Sequence, residues 1–553
     1  MRIVGYLIIL IFLFHSCKEV KEAEIKQKKE VPFVWEAANV YFLLTDRFNN
    51  GDVTNDINFS RTAETAKLRG FKGGDIKGVT QKIEEGYFTD LGINAIWMTP
   101  LVEQIRGGTD EGTGLSYGFH GYWASDWTAL DPNFGTKEDL KELIEVAHKN
   151  GIRVLLDAVI NHTGPVTEND PVWPEDWVRT SPKCDFSNFE NTVTCTLVDN
   201  LPDVKTEHNE IAILPPHLVD KWKKEGRYEQ ELQELDAFFE RTGHPRAPRF
   251  YIMKWLTDYI TEFGIDGYRV DTVKHTEAYV WQEFKKECDF AFAEFKKNNA
   301  DKVLDDNDFY LVGEVYNYSI SAKKAFDFGD RKVNYFDNSF NSLINFELKW
   351  NAAQMHIDSM FTKYSKILSS DLKGYGVLNY MSSHDDSQPF DAKREKPYET
   401  ATKLFLCPGT ALVYYGDESA RNLAIEDAEG DAKLRSFMNW EAIQNDSETQ
   451  KVLKHWQKLG RFRANHPSVG AGVHQKISKK PYVFSRNYSK GDYNDTVVVG
   501  LGLAVGIKQL DVSKVFKDGD ELYDAYSGIQ SLVENGKVTI DSSFDLVLLA
   551  KKL

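Results

Sequence analysis

With 553 residues, 42% of them hydrophobic and 27% charged, the chain is too long for one small core and too apolar to be disordered. Its length anticipates about two to four domains. A formal net charge of −17 excludes a nucleic-acid binder, whose phosphate partner demands a basic surface, and suits a solvated secreted enzyme or one that binds a cation.

At the N-terminus, Arg2 precedes the twelve-residue apolar run IVGYLIILIFLF, which is followed by His15, Ser16 and Cys17. The run is short for a bilayer span but has the length of a signal-peptide core. A cysteine after a small residue at its end resembles a bacterial lipobox, with Phe14 where the common pattern has Leu. Residues 1–17 are therefore expected to be a lipoprotein signal peptide, with Cys17 the acylated mature N-terminus, and residues 18–34 a charged tether. The expected location is extracytoplasmic, anchored to the outer membrane on its periplasmic or cell-surface face. Membrane contact is expected through that anchor alone, because no further apolar span follows, and the protein is expected to be a monomer.

From about residue 35, short apolar runs alternate with amphipathic helical patterns. NVYFLLTDRF, INAIWMTP, IRVLLDAVINH, GYRVD, FYLVGEV, GVLNYMSSHD and TALVYYGDE read as strands, with a weaker eighth near NSFNSLINF. TKEDLKELIEVAHKN, stopped by Gly151, is typical of the helices between them. Apolar strands separated by helices indicate a parallel sheet, and eight of them an α/β fold of the (β/α)8 TIM-barrel type. The expected barrel covers 35–164 and 249–464. The roughly hundred-residue gap between the third and fourth strands reads as an inserted subdomain, 165–248. After about 465 only strand patterns remain, so 465–553 is expected to be a small all-β domain. Cys184 and Cys195 lie in the polar insert, where an oxidising compartment permits a disulfide without requiring one. Cys288 and Cys407 sit in apolar contexts and read as buried thiols.

In a β/α barrel the strand C-termini meet at one face, where active sites form. Strand ends here carry Asp157 and His162 (third), Arg269 and Asp271 (fourth), Glu314 (fifth), and His384 and Asp385 (seventh). A single strand-end Asp is as well explained by a structural ion pair. Several strand ends bearing such groups are not. Glycoside cleavage with retention needs a carboxylate nucleophile and a separate acid/base, and a third carboxylate can support the oxocarbenium-like transition state. Arg269, two positions before Asp271, shares its face and favours its ionised form, whereas a buried Glu near negative charge keeps its proton and serves as the acid.

DAVINH, GYRVDTVKH, GEV and SSHD resemble, in order and spacing, the four signature regions of the α-amylase clan of glycoside hydrolases (family 13), and LPDV at 201–204 resembles the fifth. The resemblance runs from YFLLTDRFNNGD to HPSVGAG, over nearly all of 35–475, and is nearest to periplasmic and outer-membrane α-amylases of Gram-negative bacteria. It implies Asp271 as nucleophile, Glu314 as acid/base and Asp385 as transition-state stabiliser. It implies that His162, Arg269 and His384 surround the sugar at the cleavage site, and that His120 and Tyr122 of YGFHGYWASDW contact and stack on it. Lys274 and His275 match the KH pair that α-amylases place on the leaving-group side.

The resemblance also implies calcium at one or two sites. Asn161, Asp203 and the His275 carbonyl match the ion that joins barrel and insert, with Asp199 a candidate for the missing carboxylate. Asn50, Asp52, Asn55, Asp56, Asp75 and the Gly73 carbonyl resemble the N-terminal calcium site of cyclodextrin glycosyltransferases. Oxygen donors suit calcium, not zinc. The implied activity is retaining endo-hydrolysis of α-1,4-glucosidic bonds in starch and maltodextrins. The alternatives are a cyclomaltodextrinase or an α-glucan transglycosylase with the same triad, and a non-catalytic starch-binding lipoprotein, which has no use for three intact acids. A cyclodextrin-forming enzyme is disfavoured, because the chain lacks room for the further C-terminal domains those usually carry.

Overall fold

The computed structural model describes residues 31–110 and 112–552. The expected signal peptide, Cys17 and the first part of the tether lie outside the described residues. Eight parallel strands close into a barrel: β1 (Asn39–Leu43), β2 (Ala95–Met98), β3 (Arg153–Ala158), β4 (Gly267–Val270), β5 (Tyr310–Gly313), β6 (Ser342–Asn345), β7 (Gly376–Tyr380) and β8 (Thr410–Tyr414). Each pairs in parallel with its sequence neighbours, and β8 returns to β1 through Asn39 opposite Ala411. Every residue of these strands is buried, which is why they read as continuous apolar runs and not as alternating ones. The weak strand near NSFNSLINF is β6.

Helices cover the outside. Lys137–Lys149 begins at a reciprocal capping box between Thr136 and Asp139. Pro248–Phe263, with its proline in the first turn, is buried on almost all sides because the insert packs on the face opposite the barrel. It stops at Gly264, whose φ is 73° and whose absent Cβ leaves room for the Phe295 ring. β4 starts three residues later.

Between β3 and β4 the chain forms a two-stranded ladder, Val178–Arg179 with Asp203–Val204, and the helices Pro216–Glu225 and Tyr228–Thr242. Cys184 and Cys195 form a disulfide, which resolves the open pairing, and Cys288 and Cys407 are buried free thiols. After the barrel, a six-stranded antiparallel sheet carries two faces. Tyr482, Phe484, Val497, Val499, Leu546 and Leu548 join the barrel's core, while Val483, Val498, Val547 and Leu549 pack into a second cluster beneath a separate two-stranded ladder. Period-two alternation thus gives the sheet one face for the barrel and one for its own core. Among the described residues no helix is long and apolar enough to cross a membrane.

Candidate active site

β4 ends in Arg269 and Val270, and Asp271 follows directly. The Arg269 guanidinium, fully buried, bonds Asp271 at 2.7 Å, Asp157 at the end of β3 at 2.9 Å and Glu314 after β5 at 2.8 Å. One cation therefore gathers the carboxylates of three adjacent strands. Thr272 takes a left-handed φ of 48°, a strained state for a β-branched residue, and this turn aims its N–H at Glu314 Oε2, 3.1 Å away.

The electrostatics separate the acids. Burial pushes Glu314 up to about 8, Asp271 and Asp385 add to the shift, and Arg269 opposes it. Burial also acts on Asp385, but His384, Arg435 and Arg269 outweigh it and hold that carboxyl well below the usual range. Asp385 bonds His384 Nε2 at 3.0 Å and Arg435 at 2.7 Å. The site so keeps one carboxyl protonated beside another that is ionised, the pairing acid catalysis requires. Burial lowers His120, His162 and His384, and at His384 the neighbouring Asp385 opposes that shift.

The predicted sugar-contacting residues converge on the same mouth. Tyr122 donates its hydroxyl to Asp157 at 2.9 Å and stacks near-parallel on His384, with ring centroids 5.4 Å apart. His120 accepts the Tyr122 N–H, and His162 Nε2 bonds the Tyr122 carbonyl at 3.1 Å. His384 Nδ1 is buried without a protein partner and is available to a ligand hydroxyl. Lys274 lies 5.2 Å from the Tyr316 ring and 5.9 Å from those of Phe186 and Phe326. His275 Nδ1 lies 2.9 Å from the Thr192 carbonyl.

Sequence reasoning missed Trp97 and Arg435. Trp97 donates its indole N–H to Asp157 at 3.1 Å and stacks on Phe42. It is the penultimate residue of β2, the strand within INAIWMTP, a signal that was there to read. Arg435 stands in irregular chain after β8, where no periodicity marks it. A wider cleft of about 380 Å³ lies between barrel and insert, but its charges already neutralise one another, Lys221 bonding Glu103 at 2.5 Å and Asp126 at 2.6 Å.

The two expected cation sites differ. In the N-terminal loop, Asn50 Oδ1 and Asn55 Oδ1 are buried and without partners. Gly73 (φ 88°) lies so close that a Cβ there would meet Asn50 and Asp56 within 2.5 Å. Orphaned amide oxygens around an Asp and a backbone turn fit calcium. Asp75 borders the set and caps the helix Ile76–Glu84. Asp52 turns out of it, its carboxylate held by Thr54 and by Lys77 at 2.7 Å. At the barrel–insert junction Asn161, Asp203 and the His275 carbonyl do meet: the Asn161 amide N–H reaches Asp203 Oδ1 and the His275 carbonyl, and Asp203 Oδ2 lies 2.9 Å from Arg179 Nε in ion-pair contact without a hydrogen bond. Asp199 does not join them: it is 87% exposed and paired with Lys183. Among the described residues no three His, Cys, Asp or Glu side chains converge as a metal-holding group.

A closed β/α barrel with a guanidinium-bridged set of carboxylates at its strand C-termini, in which burial raises Glu314 to about 8 and Asp157 to about 7, defines an acid/base enzyme of the glycosidase class. The comparisons narrow this. The family model for the alpha-amylase catalytic domain matches residues 42–467. The chain is 33% identical to the periplasmic alpha-amylase of Escherichia coli, over 83% of this chain and 71% of that protein. It is 26% identical to a cyclomaltodextrin glucanotransferase of Thermoanaerobacterium thermosulfurigenes, over 81% of this chain but only 58% of that one. A solved cyclomaltodextrin glucanotransferase, described as having a three-domain ABC distribution, superimposes with a TM-score of 0.61 at 21% identity, covering 93% of this chain and 99% of its own. The chain belongs to the alpha-amylase family of glycoside hydrolases.

Proposed function

We propose that this protein is a retaining, endo-acting hydrolase of α-1,4-glucosidic bonds in starch and maltodextrins. The observation that carries the reading is the single Arg269 guanidinium bridging Asp271 and Glu314, with Glu314 raised to about 8 and Asp385 held ionised. Asp271 attacks the anomeric carbon while Glu314 gives its proton to the departing glycosidic oxygen. Glu314, now a base, then takes a proton from the water that releases the glycosyl-enzyme. Asp385 stabilises the positive charge that develops in both steps, and Tyr122, His120, His162 and His384 bound the sugar. Asn50, Asn55, Asp56 and the Gly73 carbonyl, with Asp75 beside them, would hold one calcium ion, a fixed charge tying the 49–56 loop to the segment before Ile76. The name of the Escherichia coli relative supports an extracytoplasmic location. Acylation of Cys17 then anchors a monomeric catalytic unit to the outer membrane.

A second reading keeps the mechanism and replaces water by a sugar acceptor. Phe186 and Tyr316, 52% and 44% exposed beside Lys274, favour it because they offer stacking faces on the leaving-group side. The test is an end-blocked maltoheptaose reporter, run with wild type and Glu314→Gln, with and without chelator. Internal cleavage lost in the variant supports the hydrolase. Turnover confined to cyclodextrins or free-ended maltodextrins, with longer products, moves the enzyme to the second reading. Equal cleavage by both proteins rejects the assigned acid.

A further inference from the structure

The barrel–insert junction holds a cation of its own. Arg179 and Asp203 face each other as a register pair in the antiparallel ladder that opens and closes the disulfide-bearing part of the insert. Arg179 Nε lies 2.9 Å from Asp203 Oδ2, and its terminal nitrogen bonds Glu207. Asp203 Oδ1 accepts the Asn161 amide N–H at 2.8 Å, and the same amide reaches the His275 carbonyl at 3.2 Å. The Asp203 side chain is 2% exposed and that of Arg179 14%. Asn161 follows β3 and His275 follows β4, so the chain of contacts runs from the insert through Asp203 to both catalytic strand ends.

We infer that the Arg179 guanidinium takes the place of a metal ion at this junction, neutralising Asp203 and fastening the insert to the barrel without calcium. The donor set supports this. Calcium wants six to eight oxygen ligands, several of them anionic. Here Asp203 Oδ2 stands in ion-pair contact with Arg179 Nε without hydrogen-bond geometry, Oδ1 accepts from Asn161, and the further candidate, Asp199, is at the surface with Lys183. A divalent ion would sit against the positive guanidinium of Arg179, 2.9 Å from the same carboxylate. A rigid planar fork also matches a carboxylate pair, Asp203 and Glu207, better than a flexible ammonium does. The inference is independent of which glucan is the substrate. It draws on the proposed N-terminal calcium site only as a control.

The experiment counts bound calcium. Wild type, Asp56→Ala and Asp56→Ala/Asp203→Asn are dialysed against calcium alone, and the ion is measured per chain by mass spectrometry of the metal. The expected result is one ion in wild type and none in Asp56→Ala. No ion in any protein also agrees with the inference while rejecting the N-terminal site. An ion kept by Asp56→Ala and lost with Asp203→Asn overturns it. An ion kept in both lies elsewhere and leaves Asp203 ion-free, as inferred. Independently, in the Asp56→Ala background chelator should leave the thermal midpoint unmoved, and Arg179→Met should lower it more than Arg179→Met/Asp203→Asn does. A midpoint that falls on chelation, or no rescue in the paired variant, counts against the guanidinium.

Discussion

Arg269 does more at this site than pair with one carboxylate. By reaching Asp157, Asp271 and Glu314 together it fixes their spacing, and burial then decides which of them keeps its proton. The pH dependence follows with a definite sign. Glu314 must be protonated to act, so kcat/KM should fall as pH rises through about 8, the value to which burial lifts it. An alkaline limb in the ordinary carboxylate range would show that Glu314 is not the acid. Glu314→Gln should lower kcat on the order of 10²–10⁴-fold for a natural leaving group. Arg435→Met removes one of the three groups, with His384 and Arg269, that outweigh burial at Asp385, so its pKa rises and the acidic limb of the rate profile moves to higher pH. The rate at the optimum should fall roughly tenfold to a hundredfold, the worth of a charged hydrogen bond. An acidic limb that stays in place in that variant would release Arg435 from this role.

At the scale of elements, the disulfide-closed loop in the insert reaches the catalytic strands. Its helical turn Glu190–Val193 sets the Thr192 carbonyl against His275, and Phe186 meets the His275 ring edge-on at 5.8 Å. The loop thus supports the short helical turn Val273–His275 that carries Lys274. Cys184→Ser/Cys195→Ser should cost about 2–3 kcal/mol, as expected for a short closed loop, and raise KM for maltodextrins while leaving the alkaline limb set by Glu314 unmoved. Thermal melts and a pH–rate profile on the same variant separate these effects. Unchanged KM together with an unchanged melt would mean the loop does not shape the leaving-group side.

At the scale of the molecule, barrel and C-terminal sheet share one apolar layer. Leu548 lies in the barrel's cluster and Leu549 in the outer one, on opposite faces of one strand. Truncating either to Ala should cost about 2–5 kcal/mol. Because the layer is shared, both should lower the midpoint of one cooperative transition in calorimetry. A separate early transition in Leu549→Ala would mean that the sheet unfolds without the barrel. Calcium at the N-terminal loop should add to this stability by mass action, about 2.7 kcal/mol at a hundredfold excess over its dissociation constant.

Much of the fold was legible along the chain, because a barrel strand buried on both faces must be apolar throughout and must end where the helix-bound chain emerges. That local rule marked Asp157, Asp271, Glu314 and Asp385 from their positions after apolar runs, before any contact was known, and the resemblance of the surrounding motifs supplied their roles. It reached neither Arg435 nor Arg179, which lie in segments with no period to read and owe their partners to loops brought together from far along the chain. For the same reason Asp199 and Asp52 read as cation ligands in one dimension, while in three dimensions Lys183 and Lys77 claim them. The pairing of Cys184 with Cys195 was likewise settled by the fold of the insert. Sequence determined which carboxylates stand at the barrel mouth, because backbone periodicity is local. Tertiary structure decided which of them keeps a proton and which cation each one meets, because burial and charge depend on everything within a few ångströms, however distant in the chain.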